Sequence, residues 1–204
     1  MSAVPARKRD DRREAILDVA QACFLAGGYA ATSMSTIAAS LGGSKGTLYN
    51  YFKNKEDLFA AVIQRKCGEI EDTLFEVDAQ TGDPEARLSH YARGFLGHLM
   101  TAEARGIQRL VVGESERFPQ LGQVFYESGP RIVLGRIGDY LRELMDKGRL
   151  RRADPAVAAQ HFTDLAISGV YWPTVWGVLE NLTPAEIDAQ VARAVDTFLR
   201  AYRP

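Results

Sequence analysis

The chain has 204 residues, with 25 lysine or arginine and 26 aspartate or glutamate side chains, so its formal net charge is −1. This length suffices for one or two helical domains with a hydrophobic core. No signal-peptide pattern and no run of eighteen apolar residues is present, so we expect a soluble, cytoplasmic protein without a membrane span. The charge is uneven: residues 1–55 carry eight basic and four acidic side chains. A basic segment on an acidic body favours a polyanionic partner.

Five basic residues stand close together ahead of the first predicted helix. Two interpretations of this cluster are open. It forms either a disordered tail that keeps the protein soluble, or an arm that adds phosphate contacts or reaches a minor groove. The five residues are Arg7, Lys8, Arg9, Arg12 and Arg13.

A short amphipathic helix is predicted after Ser33, a preferred N-cap residue type. Apolar side chains at Met34, Ile37, Ala38 and Leu41 follow the i, i+3, i+4, i+7 spacing of one buried stripe. The pair Gly42-Gly43 then stops the helix, because glycine adopts the backbone of a tight turn without a Cβ clash. Upstream, the pair Gly27-Gly28 ends an earlier apolar stripe in the same way.

A further helix is predicted from about Lys45, with Ser44 as its N-cap. Leu48 and Phe52 lie four residues apart and face inward. The outer face carries hydrogen-bonding groups, one cation and little bulk, which suits a helix that enters the DNA major groove, about 12 Å wide. The residues on or near this face are Lys45, Gly46, Thr47, Tyr49, Asn50 and Tyr51. The two helices therefore predict a helix-turn-helix; an ordinary helical hairpin with half-buried tyrosines is the alternative.

This stretch resembles the DNA-binding domain of the TetR family over about the first sixty residues. The matching residues are Thr32-Ser33, Ile37-Ala38, Leu41-Gly42, Ser44-Lys45-Gly46-Thr47-Leu48-Tyr49, Tyr51-Phe52, Lys55, Leu58 and Phe59. The resemblance implies that DNA is contacted by Lys45, Thr47, Tyr49, Asn50, Tyr51 and Lys55, and by Thr32, Ser33 and Ser35 at the start of the preceding helix. Small Gly46 permits close approach to the DNA.

Two residues depart from the family pattern. Gly43 stands where the family usually has a β-branched valine that packs under the turn, and Tyr51 stands where relatives often have a histidine. The first departure leaves an alternative function open: a helical protein-interaction module that has lost specific DNA binding.

The remainder of the chain predicts an all-α protein with nine or ten helices, because no strand pattern or repeat is found. Helix starts are indicated by Asp83-Pro84 and Asp154-Pro155, and by a capping-box pattern from Thr183 to Glu186. We predict a helix-turn-helix DNA-binding domain with a basic N-terminal arm at 1–55 and a helical effector-binding and dimerisation domain at 56–204.

The last two long helices are apolar over much of their surface, which predicts a partner for them. In the TetR family the corresponding helices pair into a four-helix dimer interface, and a twofold dimer matches a palindromic operator. The predicted interface residues are Phe162, Leu165, Ala166, Val170, Val191, Val195, Phe198 and Leu199. The alternative is that these helices cover the core of their own chain.

Large aromatic and aliphatic side chains recur in the middle of the chain. Most such residues are ordinary core, but the family resemblance implies an apolar cavity for a small effector, and Tyr and Trp suit its walls. The predicted lining residues are Tyr91, Phe95, His98, Leu99, Arg109, Leu110, Glu114, Phe118, Phe125, Tyr126, Tyr171, Trp172 and Trp176.

No catalytic, metal-binding or cofactor-binding motif is recognised in the sequence. The prediction is therefore a regulator and not an enzyme, with no metal and no cofactor. Its expected partners are an operator in double-stranded DNA, a small-molecule effector and a second copy of the chain. We expect a repressor that leaves its operator when the effector binds.

Overall fold

The computed structural model describes the backbone of residues 4–75 and 83–204, and the side chains of residues 9–68 and 83–204. All regular structure in these ranges is helical, which confirms the all-α prediction. No helix within them combines the length and apolar character that a membrane span requires. In chain order the helices are α1 (Val4–Ala31), α2 (Met34–Ser40), α3 (Lys45–Tyr49), α4 (Lys55–Phe75), α5 (Pro84–Leu99), α6 (Ala102–Glu114), α7 (Pro119–Ser128), α8 (Pro130–Asp146), α9 (Pro155–Ile167), α10 (Tyr171–Val175) and α11 (Pro184–Tyr202).

Local capping chemistry sets several of these boundaries. The Asp83 side chain accepts a hydrogen bond from the Glu85 amide at the start of α5. Thr183 and Glu186 form the reciprocal capping box at the start of α11, as predicted. Gly148 has a φ of 66° after α8, where glycine is favoured because it lacks a Cβ.

The chain forms two compact units. The first unit consists of Met1–Lys66 and Gly106–Gly129, and the second consists of Cys67–Arg105 and Pro130–Pro204. The predicted division at residue 55 differs from this one, because the beginning of α4 and the segment that contains α7 belong to the first unit.

Aromatic packing explains why the first unit extends past residue 55. The Phe24 ring of α1 packs edge-on against Phe59 of α4 at a centroid distance of 5.4 Å. Tyr29 packs edge-on against both Phe59, at 5.6 Å, and Phe118, at 5.5 Å. Such pairs add to the burial of the rings. The first unit is therefore built around the C-terminal part of α1.

The second unit has its core between α5, α8, α9 and α11. Phe162 of α9 packs edge-on against Phe198 of α11 at 5.3 Å, and Tyr91 of α5 does the same with Tyr140 of α8 at 5.4 Å. Gln190 is buried in this unit, and its amide nitrogen donates to the Leu165 carbonyl at 2.9 Å. This bond ties α11 to the C-terminal turn of α9.

The burial pattern corrects the predicted dimer-interface residues. Five of them lie inside the core of their own chain: Phe162, Ala166, Val191, Val195 and Phe198. Leu165, Val170 and Leu199 are only partly buried. Apolar periodicity identifies a buried face but does not say whether the same chain or a partner buries it. Here the same chain buries the main stripe, so these five side chains are not available to a partner.

Candidate nucleic-acid interface

The first helix of the predicted DNA-binding pair is α2. Its N-cap is Ser33, whose hydroxyl oxygen accepts a hydrogen bond from the Thr36 amide at 3.1 Å. Ile37 and Ala38 are buried against the first unit, whereas Ser33 and Ser35 are exposed. Capping and apolar spacing thus fix which side of α2 faces solvent.

The turn between α2 and α3 depends on its two glycines. Gly42 has a φ of 67°, a conformation that favours glycine, and its amide donates to the Ala39 carbonyl at 3.1 Å. A Cβ added at Gly43 would lie 3.2 Å from Nη2 of Arg12. The guanidinium of Arg12 therefore packs beside the position where relatives usually carry valine. In the sequence, the departure of Gly43 from the family pattern is the one feature that indicates this contact.

Helix α3 is short, and its first turn is closed by Ser44. The Ser44 hydroxyl oxygen accepts from the Thr47 amide at 3.2 Å and shares a hydrogen bond with the Thr47 hydroxyl at 3.0 Å. Leu48 and Phe52 are buried, as predicted from their spacing. The opposite face is open to solvent, with Lys45, Gly46, Tyr49 and Asn50 exposed and Thr47 and Tyr51 half-buried. A half-exposed tyrosine on a short capped helix can reach a ligand with its hydroxyl.

The basic residues near the N-terminus belong to a helix. Helix α1 begins at Val4, so neither a disordered tail nor an arm ahead of the first helix describes Arg9, Arg12 and Arg13. The guanidinium of Arg9 lies 5.9 Å from the Tyr51 ring centroid, and that of Arg13 lies 5.5 Å from the Phe52 ring centroid. Cation–π attraction of this kind holds the start of α1 against the end of the helix-turn-helix. The side chains of Arg7 and Lys8 lie outside the described residues.

Two of the predicted DNA contacts are engaged inside the first unit. The ammonium of Lys55 donates to the Tyr29 carbonyl at 2.7 Å and lies 4.1 Å from the Tyr29 ring centroid. Burial lowers the pKa of Lys55, and the nearby carboxylates of Glu56 and Glu114 oppose that effect. Thr32 is buried, and its hydroxyl donates to the Gly28 carbonyl at 2.7 Å. Both side chains thus join α1 to the elements that follow it.

The residues predicted to line an effector cavity divide between the two units. The first unit contains Arg109, Leu110, Glu114, Phe118, Phe125 and Tyr126, and the second contains Tyr91, Phe95, His98, Leu99, Tyr171, Trp172 and Trp176. Within the first unit, Glu114 accepts a hydrogen bond from the Ala30 amide at 3.1 Å. Their assignment to one cavity stays a prediction.

The two tryptophans lie at the surface of the second unit. Trp172 is 45% exposed and Trp176 is 70% exposed, and their rings stack at a centroid distance of 6.3 Å. Helix α10 has only five residues and buries Tyr171, Thr174 and Val175 on its inner side. Because one short helix has a single inner face, the indoles point outward. Their assignment as cavity walls stays a prediction.

Comparison with known proteins identifies the family. Residues 16–62 match the model described as "Bacterial regulatory proteins, tetR family", and residues 86–204 match "AefR-like transcriptional repressor, C-terminal domain". The second match alone spans more than half of the chain. The chain belongs to the TetR family. Helices α2 and α3 therefore belong to the helix-turn-helix of a TetR-family DNA-binding domain, and the chain is a transcriptional regulator.

Solved structures and a curated protein also match over most of the chain. The flavonoid-responsive regulator FrrA is 32% identical, with a TM-score of 0.82 over 96% of this chain and 98% of that one. A putative TetR-family regulator from Mesorhizobium loti is 28% identical, with the same TM-score and coverage. The uncharacterized HTH-type regulator YhgD of Bacillus subtilis is 27% identical over 167 residues, which are 79% of this chain and 83% of that protein.

Proposed function

We propose that this TetR-family protein is a ligand-responsive repressor. It binds a palindromic operator as a homodimer in the cytoplasm and leaves the operator when a small, largely apolar molecule binds its C-terminal domain. The observation that carries the proposal is the solvent-exposed face of α3, where Lys45, Tyr49 and Asn50 surround the small Gly46. Such a face fits a major groove closely while it offers one cation and several hydrogen-bonding groups.

The DNA contacts divide by chemistry. Lys45 and Thr47 present groups in the N-terminal half of α3, where a recognition helix meets base edges, and Asn50 presents its amide from the C-cap. Tyr49 and Tyr51 donate through their hydroxyls to phosphate oxygens, as do Ser33 and Ser35 at the start of α2. Thr32 and Lys55 do not contact DNA directly in this proposal, since their polar groups are bonded to carbonyls of α1. They support the position of the helix-turn-helix instead.

The alternative function, an interaction module without specific DNA binding, depended on Gly43. The guanidinium of Arg12 packs beside this glycine, so the absent valine side chain is replaced by another group. Ser44 and Gly42 keep the cap and the turn that α3 requires. These contacts favour the DNA-binding function over the alternative.

A homodimer would use the outer face of α9 and α11. Ser168 and Thr197 are small and exposed there, and so is Ala201, which permits close approach of a second copy. Two neighbouring grooves on this face share Leu165 and Ser168. In a twofold dimer both copies contribute the same surface, and the two recognition helices meet equivalent half-sites.

Effector control follows from a population shift. A ligand that binds the DNA-incompetent arrangement more tightly than the competent one lowers operator affinity, and a coupling of about 1–3 kcal/mol corresponds to about 5- to 150-fold. One relative is named a flavonoid-responsive regulator, so a flavonoid is the first ligand to test here.

Fluorescence anisotropy tests the proposal. The full-length protein is titrated into a labelled duplex from the DNA that flanks its own coding sequence, with random competitor and several salt concentrations. We expect competitor-resistant binding with a steep salt dependence, because each neutralised phosphate adds about −0.9 to the slope of log K against log salt. If the protein selects no sequence either here or from a random duplex library, the proposed function is wrong.

A further inference from the structure

The C-terminal part of α1 contains a break that leaves one amide in need of an acceptor. Gly28 leaves the helical conformation, with φ 77° and ψ 166°, and the chain then continues helically to Ala31. Amides in the first turn after such a break have no carbonyl one turn earlier to bond to. A carboxylate oxygen of Glu114, at the end of α6, accepts from the Ala30 amide at 3.1 Å. The side chain of Glu114 thus acts as a cap supplied from 84 residues away.

Glycine at position 28 also favours this contact. A Cβ added at Gly28 would lie 3.0 Å from the same carboxylate oxygen of Glu114. The absence of a side chain at the break therefore lets the carboxylate approach the backbone. The positive φ and the close approach both favour glycine at this one position.

A second contact joins the same two segments. Phe118, four residues after Glu114, packs edge-on against Tyr29 at 5.5 Å. The ammonium of Lys55 lies 4.1 Å from the Tyr29 ring centroid and 5.8 Å from that of Phe118, and it donates to the Tyr29 carbonyl. Residues 28–30 are therefore held by a carboxylate, a cation and a ring.

Residues 28–32 lead directly into the helix-turn-helix. The Thr32 hydroxyl donates to the Gly28 carbonyl at 2.7 Å, and the next residue, Ser33, is the N-cap of α2. Any shift of the backbone at Ala30 therefore moves the start of α2. Because α2 packs on α3 through the Gly42-Gly43 turn, the orientation of the recognition helix depends on this segment.

We propose that Glu114 is a positioning residue that sets the orientation of α3 in the first unit, and that Phe118 supports the same segment through its contact with Tyr29. The segment from Gly106 to Gly129 is then part of the DNA-binding unit, although it lies far from residues 1–55 in the sequence. This inference rests on the proposed DNA-binding function. Loss of the Glu114 contact tilts α3 without removing any group that touches DNA.

Such a tilt should affect the binding of the preferred DNA sequence more than the binding of random DNA. Hydrogen bonds to base edges need a defined orientation, whereas phosphate contacts made by flexible side chains tolerate a small displacement. Glu114→Ala should therefore weaken binding to the preferred sequence about tenfold or more while random DNA is bound within about twofold of the native affinity. Glu114→Gln keeps an oxygen that accepts from the Ala30 amide, so it should retain most of the sequence preference.

The test compares the full-length native protein with Glu114→Ala, Glu114→Gln and Glu116→Ala. Glu116 is exposed two residues further along and serves as the matched control for loss of a carboxylate. The probes are a 30-base-pair duplex that the native protein has selected from a random library and a duplex of random sequence. An unchanged ratio of the two affinities in Glu114→Ala overturns the proposal, and so does an equal loss in Glu116→Ala.

Hydrogen exchange gives a readout that does not need DNA. Amides of residues 28–40 should exchange faster in Glu114→Ala than in the native protein, Glu114→Gln and Glu116→Ala, while the core amides of α9 and α11 stay protected. Unchanged exchange at 28–40 overturns the positioning role. If the native protein selects no duplex, the DNA-binding function fails, and the exchange comparison still decides whether Glu114 holds the segment.

Discussion

Single residues of the helix-turn-helix divide into those that face solvent and those that hold the backbone. Tyr49 is 50% exposed on α3. Lys55 donates to a main-chain carbonyl and lies on an aromatic ring. Both residues belong to the segment that matches the TetR-family motif. Their different surroundings in the fold, and not the motif, therefore distinguish their roles.

Tyr49→Ala should remove most operator binding without unfolding the protein. The half-exposed ring contributes little to the core, whereas its hydroxyl and ring lie on the face proposed to meet DNA. We expect an affinity loss of about tenfold or more, that is about 1.4 kcal/mol or more. Ile132→Ala is the control, because Ile132 is a large side chain that is 40% exposed on α8 and belongs to no predicted site. Equal operator affinity for both variants in an anisotropy titration would remove Tyr49 from the interface.

Lys45→Ala should change the salt dependence of DNA binding, whereas Lys55→Ala should change the stability of the fold. Lys45 is exposed, so its loss should reduce the steepness of the salt dependence of DNA binding by about 0.9 and leave urea denaturation unchanged. Loss of Lys55 leaves the Tyr29 carbonyl without its donor and should lower the free energy of unfolding by about 1–3 kcal/mol. A fully stable Lys55→Ala protein with a flatter salt slope would instead assign this ammonium to phosphate.

At the scale of the elements, the helix-turn-helix contains one glycine with a left-handed backbone, Gly42, and one in a helix, Gly46. Gly42 has a positive φ, and nothing lies within 4 Å of a Cβ placed there. Gly46 lies inside α3, where a Cβ would meet only the Ser44 hydroxyl at 3.7 Å. Alanine is thus sterically accommodated at both positions, and only the backbone conformation differs.

Gly42→Ala should lower the free energy of unfolding by about 1 kcal/mol, because the cost is that of a left-handed conformation with a Cβ. Gly46→Ala should leave stability unchanged or raise it by up to about 1 kcal/mol, since alanine favours a helix. Gly46→Ala should nevertheless weaken operator binding, because its methyl group projects from the groove-facing side of α3. Urea denaturation and anisotropy on the same samples measure both effects; a Gly46→Ala protein with native operator affinity would contradict close approach at this residue.

At the scale of the whole molecule, the proposed twofold dimer would place a second copy on the outer face of α9 and α11. Thr197→Arg places a bulky cation on each side of that contact without touching the buried stripe of α11. We expect the molar mass from light scattering to fall from that of a dimer to that of a monomer, with weaker operator binding. Asp139→Arg, on the exposed side of α8, is the control. A native protein that is monomeric at micromolar concentration would contradict the dimer itself.

Much of the fold was predictable because its determinants are local. Ser33, Ser44 and Thr183 were expected as N-caps from residue type and position, and each caps its helix. The inward positions Leu48 and Phe52 followed from helical spacing. These features depend on hydrogen bonds and side-chain directions within about one turn, which a sequence pattern represents directly.

The candidate site was predictable only in part. The exposed face of α3 follows from periodicity, but the inward orientation of Lys55 does not, because its partner Tyr29 belongs to another helix. Thr32 turns inward through a local bond to the Gly28 carbonyl, four residues earlier. The outward position of Trp176 was missed for a related reason. An aromatic residue at helical spacing looks the same whether the tertiary structure covers it or not.

The sequence by itself determined the helical class, the capped turn of the helix-turn-helix and the family, since these depend on short-range chemistry repeated in register. The tertiary structure alone decided that the chain itself buries the apolar stripe of α9 and α11, that Arg12 packs beside Gly43, and that Glu114 caps the amide of Ala30. The physical reason is distance along the chain. Contacts between residues tens of positions apart form only when helices pack, and a local sequence pattern does not specify which two polar groups will then meet.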